Sequence, residues 1–312
     1  MTSILKIVGV VMVVGVLCVG TMALAADFVW DANSVQTSWL TPAHWDLDDS
    51  YPQNANDNAT IDAAGNLCTF DPGSDVTINN LTLAGASPTK RKLHIKDAAL
   101  TAETFDLQDY AELDVDADLT VNSRTTLSGS VWIDVANGVT FTAKDGAGNI
   151  HDGIFVDGTQ TRLILTTGST GTLEAWGIRI DANAANEQRA LKLNGGTLAI
   201  KPSEYLWIES DPDADNNRAK FWLAVGGIDF GTSNWIQLVG GGSNARRAEM
   251  DLDQDLTLLQ NGFTIIKGYV TIDIAAGKMF TSSVTTISGT GGPAVLTVTS
   301  GSGGVMNTQD VS

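Results

Sequence analysis

The chain has 312 residues, 43% hydrophobic and 17% charged, with 32 Gly and 7 Pro, a composition that buries a core and is neither disordered nor collagenous. Its 36 Asp and Glu outnumber 18 Lys and Arg, and the resulting net charge of −18 argues against a nucleic-acid surface and against binding to acidic membranes. Cys18 and Cys68 are too few for a disulfide framework or a cysteine-rich metal site, so packing must hold the fold.

The first element in the chain is the apolar run IVGVVMVVGVLCVGTMALA after Lys6, ending in Ala23-Leu24-Ala25 ahead of the first acid, Asp27. These features describe a cleavable secretory signal over residues 1–25. The run is also long enough for an uncleaved anchor, but the cleavage triplet favours removal, and Leu17 before Cys18 argues against lipidation. The expectation is a secreted or cell-surface protein with no membrane segment after cleavage.

Residues 26–74 carry Trp30, Trp39 and Trp45. Two readings compete for them. Exposed, they form an aromatic platform that stacks on sugar rings; buried, they form the small core of an N-terminal cap, which a stacked-coil protein needs to hide its end. The cap is preferred, because large apolar side chains are usually buried.

From residue 75 the text becomes short alternating runs such as VTINNLTL, ELDVDADLTV, SVWIDVANGVTFTA and YVTIDIAAGKMFT, each bounded by Gly, Asn, Asp or Ser. Val, Ile, Thr and aromatics at period two predict strands, and no sustained helical period occurs outside the leader. Segments 111–121 and 248–258 are similar, as are 130–142 and 269–281, and LILTTGSTG from Leu163 is similar to LTVTSGSGG from Leu296. A block over about 111–171 thus resembles one over 248–304, the self-similarity expected of a stacked architecture. The predicted fold is an all-β solenoid over 75–312, with roughly 20 to 25 residues per coil, about a dozen coils and a rod about 50 to 60 Å long. A tandem β-sandwich is the alternative.

The string VWDANSVQTSWLTPAHWD, followed by NANDNATIDAAGN and VTINNLTL, resembles the opening of bacterial exported proteins built from autotransporter-associated β-strand repeats. Trp30-Asp31, Ser38-Trp39 and Trp45 match that family's order, Asp57-Asn58-Ala59 its next segment, and Leu81-Thr82-Leu83 its first rung. Asn194-Gly195-Gly196-Thr197-Leu198 resembles the end of the repeat. His44 stands where Asn is usual, and Gly is absent before Asp57. The resemblance implies a right-handed parallel β-helix and a surface or secreted location, and says little about activity.

Asp211, Asp213, Asp215 and Asn217 alternate in SDPDADNN and offer hard oxygen ligands for calcium. Asn216 and Trp222 stand where an EF-hand needs Gly and Glu, which leaves a looser calcium turn or a solvated acidic loop. Glu112, Asp114, Asp116 and Asp118 alternate with apolar residues, as do Glu249, Asp251, Asp253 and Asp255, and both sets read as hydrated outward faces. His44, His94 and His151 show no metal-ligand spacing, and no nucleophile motif or phosphate loop occurs. The expected function is a non-enzymatic surface rod that meets extracellular glycans or cell-surface components by weak multivalent contact. The alternative is a calcium-assisted polysaccharide lyase using Arg179 with Asp181, or Arg246 with Asp251.

Overall fold

The computed structural model describes residues 25–30, 38–47, 49–62, 67–86, 90–146, 153–156, 162–165, 171–182, 188–210, 217–258, 262–288 and 294–311. Period-two alternation becomes strand because it gathers the apolar side chains on one side of the pleat. In Ala111–Val115 the residues Ala111, Leu113 and Val115 are buried, while Glu112 and Asp114 are half-exposed. Among the described residues the one helical element is the short 3-10 turn Pro42–His44.

Every strand pair among the described residues is parallel. This removes the tandem β-sandwich, whose sheets are built from antiparallel neighbours, and makes the chain a parallel β-solenoid. Each coil runs over three faces. The first carries strands such as Arg91–Ile95, Ala111–Val115 and Ser130–Val135. The second carries Leu119–Val121, Thr140–Ala143 and Thr172–Ala175, and the third Thr125–Leu127, Ile178–Ala182, Tyr205–Ser210 and Trp235–Val239. Long strands such as Leu100–Gln108 and Gln188–Ile200 turn a corner and serve two faces.

The third face is an unbroken ladder of twelve layers from Asp27–Val29 to Val305–Val311. At ~4.8 Å per layer it is about 50 Å long. Coil length varies more than the sequence suggests. Ala111 pairs with Val131, twenty residues on, whereas Val131 pairs with Leu163, thirty-two residues on.

The similar segments occupy equivalent places. Ala111, Val131 and Leu163 stack in register on three successive rungs, and their counterparts Ala248, Val270 and Leu296 stack in the same way. On the second face Leu119 lies against Phe141, as Leu256 lies against Phe280. Successive rungs approach closely where glycine permits it: a Cβ on Gly240 would lie 1.7 Å from the Tyr269 carbonyl oxygen. Gly268, next to it, has φ +65°.

At the N-terminal end Trp30, Trp39 and Trp45 are 0 to 1% exposed. Trp45 meets Trp39 and Trp30 edge-to-face at centroid distances of 4.8 and 5.0 Å, and Trp39 meets Phe70 at 5.1 Å. The Trp39 indole N–H donates to the Pro52 carbonyl at 2.8 Å, and that of Trp45 to the Trp39 carbonyl at 2.9 Å. The exposed sugar platform is therefore corrected: these rings lie inside, continuous with the solenoid core. Cys68 lies in the same core, free and fully buried, and burial, with Asp71 nearby, pushes its thiol well above the ordinary range.

Candidate functional site

The chain has 8 Trp, and the five outside the cap, Trp132, Trp176, Trp207, Trp222 and Trp235, are all partly exposed. Strand parity puts them there. Trp132 lies between buried Val131 and Ile133, Trp207 between Leu206 and Ile208, and Trp222 between Phe221 and Leu223. The alternation that finds the core thus also finds these outward indoles, whereas clustering in the sequence picks out the three that are sealed inside.

The densest group lies on the third face. Phe155, Arg179, Trp207 and Gln237 are register partners on four successive rungs. Arg124 lies over the Phe155 ring at 5.1 Å and Arg179 over the Trp207 ring at 4.9 Å, so cations and rings alternate along the rod. Tyr205 bridges sideways, with its ring centroid 5.6 Å from Trp207 and 5.4 Å from Trp235. Arg179 is fixed by Asp181 at 2.9 Å and Glu209 at 3.4 Å. Among the described residues its Nε–H and the Nε1–H of Trp207, both buried, meet no acceptor. This strip therefore combines flat apolar rings with fixed charged hydrogen-bonding groups.

The first face carries a different pattern. Lys90 lies over the Trp132 ring at 4.0 Å and Lys192 over the Trp222 ring at 3.9 Å, and the Trp222 N–H donates to Asp253 at 2.8 Å. Glu112 accepts from Lys90 at 2.9 Å and from Lys92 at 3.2 Å, and Lys92 also pairs with Asp114. Burial works to raise the Glu112 carboxyl, but the hydrogen bonds and charges of the two lysines outweigh it and hold the group below its ordinary value. Asp251 goes the other way. Burial raises it, the Lys220 ion pair opposes this only in part, and Glu249 and Asp273 push it further up.

The acidic rows are not simply hydrated faces. Asp118 accepts the backbone N–H of Thr140 on the next rung at 3.0 Å, and its counterpart Asp255 accepts that of Met279 at 2.8 Å. Asp75 does the same for Ala99 at 3.0 Å. Asp116 meets His94 Nε2 at 2.7 Å.

Asp211, Asp213 and Asp215 of the calcium candidate lie outside the described residues, as do residues 1–24 of the expected leader. Asn217 is buried, and its amide donates to the Ala182 carbonyl at 2.9 Å, so it stitches one rung to another. Among the described residues no three His, Cys, Asp or Glu side chains converge as a metal site, and no helix is long and apolar enough to cross a membrane. Arg179 and Asp181 do meet, as an ion pair that Arg179 shares with Glu209. Asp251 takes Lys220, one rung back, as its cation in place of the expected Arg246. No family model matches this chain, and no curated protein or solved structure matches it.

Proposed function

We propose that this chain is a non-enzymatic, exported, extracellular β-solenoid, a rigid structural and adhesive element that holds glycans along its third face. The observation that carries this reading is the strip of Phe155, Arg179, Trp207 and Gln237 in register, with Tyr205 and Trp235 beside it. Aromatic rings supply apolar area for the C–H faces of sugar rings, and Arg179, Asp181, Glu209 and Gln237 supply donors and acceptors for hydroxyls. A parallel ladder repeats its outward rows at ~4.8 Å, so contacts that are individually weak add along a polymer. The −18 charge selects neutral over acidic polysaccharides.

Affinity electrophoresis through gels cast with neutral polysaccharides tests the reading. Retardation in at least one neutral gel, lost in Trp207→Ala and absent in gels of acidic polymer, supports it. Migration unchanged in every gel contradicts it.

A further inference from the structure

One outward row of the third face alternates between apolar and polar side chains from rung to rung. Phe155, Arg179, Trp207, Gln237, Ile265 and Thr286 are register partners on six successive rungs. All six are half-exposed, and each lies between inward neighbours, as Ile265 does between the fully buried Thr264 and Ile266. Phe155, Trp207 and Ile265 thus stand two rungs, or ~9.6 Å, apart, and a hydrogen-bonding side chain follows each of them on the next rung. Strand parity does not produce this pattern. Parity places every second side chain of one strand outward, whereas these six side chains come from six different strands. The alternation starts at Phe155, since the two rungs before it carry Thr126 and Asp106 in the same row.

We propose, resting on the glycan reading of this face, that the row selects the linkage of its ligand: a neutral glycan of 1,4-linked pyranoses with both bonds equatorial, stretched along the rod with about one sugar per rung. Such a chain is a flat two-fold ribbon. Each sugar advances it by close to one rung and is turned over relative to the last, so the same groups recur on every second sugar, as the same class of side chain recurs on every second rung. The C–H surfaces meet Phe155, Trp207 and Ile265, and the hydroxyls meet Arg179, Gln237 and Thr286. Glycans with 1,3 bonds or with an axial 1,4 bond coil, and leave a straight row after a few sugars. An extended peptide repeats every two residues, ~6.6–6.8 Å, and falls out of step with the rungs. A polyproline II segment repeats at ~9.3 Å, but its prolines only accept hydrogen bonds, whereas Gln237 offers both a donor and an acceptor, and sugar hydroxyls answer both.

Affinity electrophoresis in gels that differ in linkage tests this. The gels hold hydroxyethyl cellulose or glucomannan, which carry equatorial 1,4 bonds, laminarin, which carries 1,3 bonds, or glycogen, which carries axial 1,4 bonds. The expected result is an affinity for the first two at least about tenfold above that for the others. Ile265→Asn puts a polar group on the third apolar rung and lowers affinity for glucomannan by about threefold or more. Phe155→Asn acts in the same direction from the other end of the row, which keeps the test valid if one variant fails to fold. Thr120→Asn, outward on the second face, leaves the affinity unchanged. Equal or stronger retardation by laminarin or glycogen, indifference to both row variants, or displacement of the chain from glucomannan by a polyproline peptide overturns this inference and leaves the glycan reading standing. Retardation in no gel overturns both.

Discussion

The guanidinium of Arg179 lies 4.9 Å from the centre of the Trp207 ring, and the two residues are register partners on adjacent rungs of the third face. A cation over an indole contributes ~0.5–2 kcal/mol. Trp207→Ala is expected to lower stability by about 1–2 kcal/mol while leaving the solenoid folded. Retention on neutral polysaccharide is expected to fall at least about tenfold, a loss of ~1.4 kcal/mol. Urea unfolding and affinity electrophoresis of one sample separate the two effects.

The tryptophan cap makes a second prediction. Trp39 is fully buried, packed on Trp45 and Phe70, with its N–H satisfied by Pro52. Trp39→Ala is expected to cost about 3–5 kcal/mol through the cavity it leaves. Cys68 reports the result directly. Its thiol is buried and held protonated in the native protein, so alkylation is expected to be negligible in the parent and to accelerate strongly in W39A.

Asp118 and Asp255 supply a third. Each accepts a backbone N–H from the following rung at the same position of the two similar blocks. Asp118→Ala and Asp255→Ala are each expected to cost about 1–2 kcal/mol, and because the sites share no partner, the double variant is expected to lose the sum. Thermal unfolding of the four proteins checks both points.

Much of the fold was legible because parity is local. Val131, Trp132 and Ile133 declare their sides without reference to anything distant, and the same reading fixes the faces of Leu206, Trp207 and Ile208. Partners across rungs were not legible. With coils of twenty residues in one place and thirty-two in another, no fixed period tells that Lys220, one rung back, is the cation that meets Asp251. The candidate site was missed for a related reason. Trp30, Trp39 and Trp45 are close in sequence and so draw attention, while Phe155, Arg179, Trp207 and Trp235 come together only when the coils stack.

The first face gives a test of opposite signs. Glu112 is held below its ordinary carboxyl range, so its charged form stabilises the fold at neutral pH and that contribution is lost as pH falls through the carboxylate range. Asp251 is held above its ordinary value, so between its unfolded and folded values the folded protein binds the extra proton, and stability from this group falls as pH rises. At neutral pH Glu112→Gln is expected to destabilise and Asp251→Asn to stabilise, each within ~1 kcal/mol. Both differences are expected to vanish in acid, as urea titrations at neutral and acid pH will show.

The central claim is that the third face holds neutral polysaccharide without cleaving it. The most direct measurement incubates the chain with a panel of neutral polysaccharides and follows retention of the protein together with polymer length. Retention that requires Trp207 and Trp235, with the polymer intact, is the predicted result. Shortened chains with new reducing ends, or no retention on any neutral polymer, would contradict the account.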